Sequence, residues 1–230
     1  MNDRHDRGGT RAGALGEAPA GAVRPMSPSS LARVMIEGPA GLIETDINDP
    51  GAARRGLALV AHPNPLQGGS KDNKVVTTLA KTFFALGCLA ARPNFRGTGA
   101  SQGRHDEGRG EVEDLVAVAR YLRARYGALP LLAAGFSFGA SVQLCAAGLL
   151  EPARLVLVAP AVTRAMASPA PRGTLVIHGE HDEVVPLAAV LDWARPQRLP
   201  VLVVPGCGHY FHGRLGELSE IVLRHLGSGW

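Results

Sequence analysis

Apolar runs that are short and unbroken constrain this chain more than any other feature. GLALVAHP, LPLLAAGFS, ARLVLVAPA, GTLVIHGE and PVLVVPG carry almost no polar residues. A strand with one face in water alternates apolar and polar side chains. A run that is apolar throughout belongs to a strand covered on both faces. Between these runs lie longer stretches with helical spacing: NKVVTTLAKTFFALG, EVEDLVAVARYLRARYG, FGASVQLCAAGLL, VPLAAVLDWAR and GELSEIVLRHLG. Buried strands alternating with amphipathic helices predict an α/β protein with helices on both faces of its sheet. RVMIEGPAG and LIETDIND read as two short strands joined by a turn, and CLAARPNF as another strand. In such a sheet the functional loops gather at the carboxyl ends of the strands.

Residues 1–30 break the pattern. They are rich in Gly, Ala, Pro, Ser and Arg without any period, which predicts a disordered tail before a single folded domain over 31–230. A start at Met26 would remove little that can fold. A chain of 230 residues builds a core without disulfide or metal staples. The net charge of +4 is spread without a basic block and the aromatics are few, which argues against nucleic acid. No stretch approaches eighteen apolar residues and the start lacks an apolar signal core, so neither a membrane nor secretion is expected. Cys88, Cys145 and Cys207 are odd in number and fit no zinc or redox spacing, which suits a reducing, cytoplasmic setting. The pairs His178/His181 and His209/His212 do not suggest a metal site.

The sharpest chemical signal is Gly135-Phe136-Ser137-Phe138-Gly139, where a buried strand stops and a helix starts. A serine on so tight a turn takes a strained backbone and needs small neighbours two residues away. The strain exposes its hydroxyl and sets the Phe138 amide at a helix amino end, where it can stabilise an oxyanion. A serine nucleophile needs a base, and the base an orienting acid. Asp182 follows one later strand, with Glu180 and Glu183 as rivals in HGEHDEVVP. His209 follows the last strand, with His212 further along. Position favours Asp182 and His209. His178 lies inside a strand pattern and reads as structural.

A second oxyanion donor is expected in AHPNPLQGGSKDNK. Pro63 and Pro65 have no amide hydrogen, which leaves the backbone of Asn64, with Leu66 and Gln67 as other choices. The loop NFRGTGASQG resembles a phosphate loop, but its third glycine falls one residue late and no helix opens within it. Arg96 is read there as a brace between loops, with Asp106 and Glu107 as partners.

HPNPLQGG, NFRGTGAS, GFSFG, HGEHDEVVP and GHYFHG together resemble the motifs of the small, capless bacterial serine esterases of the α/β-hydrolase superfamily, over about residues 32–228. Asn64 departs from the branch, which more often has histidine there. The resemblance implies a mostly parallel sheet of about eight strands, helices on both faces and no cap domain. It implies Ser137, Asp182 and His209 as a catalytic triad, with the Phe138 and Asn64 amides as oxyanion donors. It also implies hydrolysis of small-molecule carboxylic esters without a cofactor. Lids are usually inserted after the sixth strand, and the VTRAMASPAPR stretch there is too short for one, so short acyl groups are expected. Leu66, Phe136 and Tyr210 are expected to line a shallow substrate groove, which a homodimer would wall off further. Peptide cleavage, thioester cleavage and acyl transfer on the same residues stay open, as does a non-catalytic binding protein of this fold.

Overall fold

A computed structural model describes residue 1, residues 30–162, residues 168–227 and residue 229. The tail expected over 1–30 lies almost wholly outside the described residues.

The chain opens with a hairpin of β1 (Ser30–Gly38) and β2 (Gly41–Asp49), paired along their whole length and turned at Gly41, whose φ of 113° suits glycine. Strand and helix then alternate: β3 (Gly56–Ala61), α1 (Lys74–Ala85), β4 (Cys88–Pro93), α2 (Arg109–Tyr126), β5 (Leu131–Phe136) and α3 (Phe138–Leu150). β6 (Arg154–Val158), β7 (Leu175–Gly179), α4 (Leu187–Ala194), β8 (Val201–Val204) and α5 (Leu215–Leu226) complete it. All eight strands form one sheet in the order β1-β2-β4-β3-β5-β6-β7-β8. The β1–β2 and β2–β4 pairs are antiparallel, and every pair from β4 to β8 is parallel.

The unbroken apolar runs are explained by this layering. β3, β4 and β5 are buried at every position, because helices cover both faces. Leu132, Ala134 and Phe136 of β5 pack with α1 and α5, while Leu131 and Ala133 join clusters built with α2, α3 and α4. α1 places Val75, Val76, Leu79 and Phe83 on the sheet, and α5 places Leu218, Val222 and Leu226 beside them. This is the spacing of one helical face. Asn73 starts α1 by accepting the Val75 amide at 2.9 Å.

Only residues 159–174 lie between β6 and β7, and no cap domain is present among the described residues. The carboxyl ends of β3, β5, β7 and β8 therefore carry their loops to one open edge.

Candidate active site

Ser137 is the residue between β5 and α3, with φ 54° and ψ −118°. This is a positive-φ conformation that a serine adopts only under constraint. The constraint is visible on both sides. A side chain at Gly135 would collide with the backbone of Gly139 and Ala140, and one at Gly139 with the backbone of Ala61 and His62. Gly135 is thus required by the close approach of the first turn of α3 to β5, and Gly139 by the packing of that turn on the end of β3. The Ser137 amide donates to the Val158 carbonyl of β6 at 2.9 Å, which pins the turn to the sheet.

His209 and Asp182 meet this serine. His209 Nε2 lies 3.1 Å from Ser137 Oγ, and His209 Nδ1 lies 2.7 Å from Asp182 Oδ2. The other carboxylate oxygen of Asp182 accepts the Val184 and Val185 amides at 2.9 and 2.7 Å. Burial pushes the Asp182 carboxyl upward, but the hydrogen bonds from His209 and these amides outweigh it. The group is held below its ordinary value. Nδ1 faces an anion, so it carries the hydrogen and Nε2 is left as an acceptor for the serine hydroxyl. Such a row can take a proton from the hydroxyl and hold the resulting imidazolium.

The rivals for the acid serve a different purpose. Glu180 Oε2 accepts the Gly206 amide at 2.8 Å, and Glu183 Oε2 accepts the His209 amide at 3.2 Å. The His181 amide donates to the Cys207 carbonyl at 2.9 Å. Four neighbouring residues of the acid loop thus stitch it to the histidine loop. A side chain on Gly179 would collide with the Cys207 carbonyl, so the two loops touch. His212 stacks on Tyr210, with ring centroids 5.7 Å apart.

Asn64 and Phe138 line a cavity of about 360 Å³ together with Ser137 and Gln67. Ala161, Val162 and the stretch Val184–Pro186 with Ala189 supply its other walls. Among the described residues, neither the Asn64 nor the Phe138 amide has an acceptor. The other two choices are engaged: the Leu66 amide donates to Asn64 Oδ1 at 2.9 Å, and the Gln67 amide to the Asn64 carbonyl at 3.1 Å. The Asn64 side chain therefore shapes its own loop.

The expected groove is corrected by these positions. Phe136 is wholly buried beneath the His209 ring, 4.9 Å away, because it is an inward position of β5. Leu66 and Tyr210 are exposed but neither lines the cavity. The expected partners of Arg96 are corrected as well. Arg96 pairs with Asp114 of α2 through two side-chain bonds of 2.8 and 3.0 Å, and both are buried. Asp106 instead holds Arg109 at 3.0 Å. Asp114 sits one turn into its helix, where no loop motif marks it.

His62, the first residue of HPNPLQGG, carried no role of its own in the sequence. Its Nε2 accepts the Phe95 amide at 2.9 Å, so Nδ1 carries the hydrogen and donates to the Pro63 carbonyl at 2.7 Å. Burial pulls its pKa down to about 4, and the Pro63 bond only partly opposes this. His62 is thus a neutral strut at the root of the Asn64 loop.

The chain is similar to several known proteins. The family model of serine aminopeptidases (S33) matches residues 66–173. A solved α/β serine hydrolase without lid from Xanthomonas campestris is 37% identical, with a TM-score of 0.82 over 89% of this chain and 97% of its own. An α/β serine hydrolase homologue from Coxiella burnetii is 41% identical, with a TM-score of 0.79 over 85% and 97%. An uncharacterized protein of Rickettsia prowazekii (strain Madrid E) is 28% identical over 85% of this chain and 89% of its own.

Proposed function

The chain belongs to the α/β serine hydrolases, and from that premise we propose that it cleaves carboxylic esters of small or short-chain acyl groups through Ser137, His209 and Asp182. The observation that carries this reading is the hydrogen-bonded row from Ser137 Oγ through both His209 nitrogens to Asp182. Ser137 Oγ attacks the acyl carbon as His209 Nε2 takes its proton. Asp182 stabilises the imidazolium. The Phe138 and Asn64 amides hold the oxyanion. His209 then protonates the leaving alcohol, and an acyl-Ser137 ester remains. Water, activated by the same nitrogen, releases the acid and restores the hydroxyl.

Small acyl groups fit the absence of a cap and the size of the cavity. Each methylene left in water forgoes about 0.8 kcal/mol of binding. The S33 likeness raises peptide cleavage as a second reading. An aminopeptidase must hold a substrate ammonium, and among the described residues the cavity walls contain no Asp or Glu to do so. Ester cleavage is therefore favoured.

The test is the specificity constant for p-nitrophenyl esters of two to sixteen carbons, beside aminoacyl p-nitroanilides. A maximum among the short esters supports the reading. A maximum at twelve or more carbons, or faster cleavage of the anilides, contradicts it.

A further inference from the structure

His178 is fully buried in β7, on the side of the strand that carries Val176 into an apolar cluster. Its Nε2 lies 2.9 Å from the Val185 carbonyl and 3.4 Å from Asp182 Oδ2. Both are acceptors, so Nε2 carries the hydrogen. Its Nδ1 is buried with no partner among the described residues. An apolar side chain would fill this position without an unpaired nitrogen, so packing alone does not account for histidine.

What the imidazole does is hold the acid. The Val185 amide binds Asp182 Oδ1 at 2.7 Å while the Val185 carbonyl takes the His178 hydrogen. Val185 is thereby fixed at both ends, with the Asp182 carboxylate on one and β7 on the other. The same hydrogen leans on the oxygen that faces His209. We propose that His178 is a positioning residue for the acid–base pair: as a neutral imidazole it clamps the Asp182–Val185 turn and fixes the carboxylate that orients His209.

This rests on the catalytic reading above. Burial lowers the proton affinity of His178, which keeps it neutral beside the carboxylate. The other titratable groups around the pair are Glu183 of the acid loop and Cys207 of the histidine loop, and the Ser137 hydroxyl meets His209 Nε2.

The experiment compares wild type, His178→Phe and His178→Gln. Phe fills the space without a donor, whereas Gln can place an amide nitrogen near the position of Nε2. The readouts are kcat, KM and the pH profile of kcat/KM for a short p-nitrophenyl ester. His178→Phe is expected to lower kcat by about tenfold or more with KM nearly unchanged. It is also expected to move the acid limb of the profile to lower pH, because a loosely held carboxylate stabilises the imidazolium less. His178→Gln should recover most of both. An unmoved acid limb in the Phe variant, or equal loss in both variants, overturns the proposal. Imidazole nitrogen NMR of the wild type tests it independently of variant folding. Nε2 protonation of a neutral ring between pH 5 and 8 supports it, and an imidazolium or the Nδ1–H form overturns it. Failure of the catalytic reading shows separately, as wild-type protein that hydrolyses no ester while the NMR arm still reports on His178.

Discussion

Two of the buried polar clusters among the described residues invite comparison, one open and one closed. The open one is the row of Ser137, His209 and Asp182. The closed one centres on Lys71, which is 1% exposed. Lys71 Nζ lies 2.9 Å from Asp46 and 3.2 Å from Asp72, and Arg33 reaches Asp46 at 2.8 Å. Glu44 accepts Asn94 Nδ2 at 2.8 Å and the Ala100 amide at 2.9 Å. Burial pushes the Glu44 and Asp46 carboxyls upward. Bonds from Ala100 and Asn94 to Glu44, and from Arg33 and Lys71 to Asp46, reverse this and hold both below the ordinary range. In the closed cluster each carboxylate is met by opposite charge or by donors. In the open row two amides have no acceptor and a hydroxyl faces a cavity. The difference separates two uses of buried polarity: the closed cluster fixes the loops at Lys71 and Asn94, and the open row is proposed to keep binding capacity for a reacting group.

The comparison predicts opposite responses to mutation. Ser137→Ala should lower ester turnover on the order of 10⁶-fold while the melting temperature stays near that of wild type. A large drop in melting temperature would make the serine part of the scaffold. Asp46→Ala should do the reverse. It leaves Lys71 buried without its nearest counter-charge and should destabilise the fold by about 3–5 kcal/mol in urea titrations. Its turnover per folded molecule should stay within a few-fold of wild type. Loss of activity without loss of stability would move the cluster into the chemistry.

Acid should reveal the neutral strut between the two clusters. The pKa of His62 falls from an ordinary 6.5 to about 4 on folding, so the unfolded chain binds the proton more tightly. The stability it contributes is complete above pH 6.5 and is lost as pH falls toward 4. Between pH 7 and 5 the loss amounts to about 2 kcal/mol. His178, also lowered by burial, adds in the same direction. Urea titrations at both pH values should show a smaller loss for His62→Gln. An equal loss in wild type and variant would remove His62 from the account.

Legibility in the sequence followed locality. The layered sheet was readable because strands buried on both faces leave unbroken apolar runs, as in β3 and β5. Ser137 was readable because its turn demands glycine at two fixed offsets. Asp182 and His209 could be singled out because each sits just past a strand that delivers its loop to the same edge. The closed cluster had no such mark. Asp46 and Lys71 are 25 residues apart and meet only through tertiary packing. Asp114 likewise reads as one more charge in an amphipathic helix until the fold sets Arg96 against it. Phe136 misled for the opposite reason: it adjoins the serine in sequence, yet strand alternation turns it into the core.

The central claim is that the open row makes Ser137 a nucleophile. Incubation with a fluorophosphonate, followed by intact mass and peptide mapping, tests it directly. One adduct per chain is expected, on Ser137, forming very slowly in His209→Ala. An unmodified wild-type chain, or an adduct on any other residue, would contradict it.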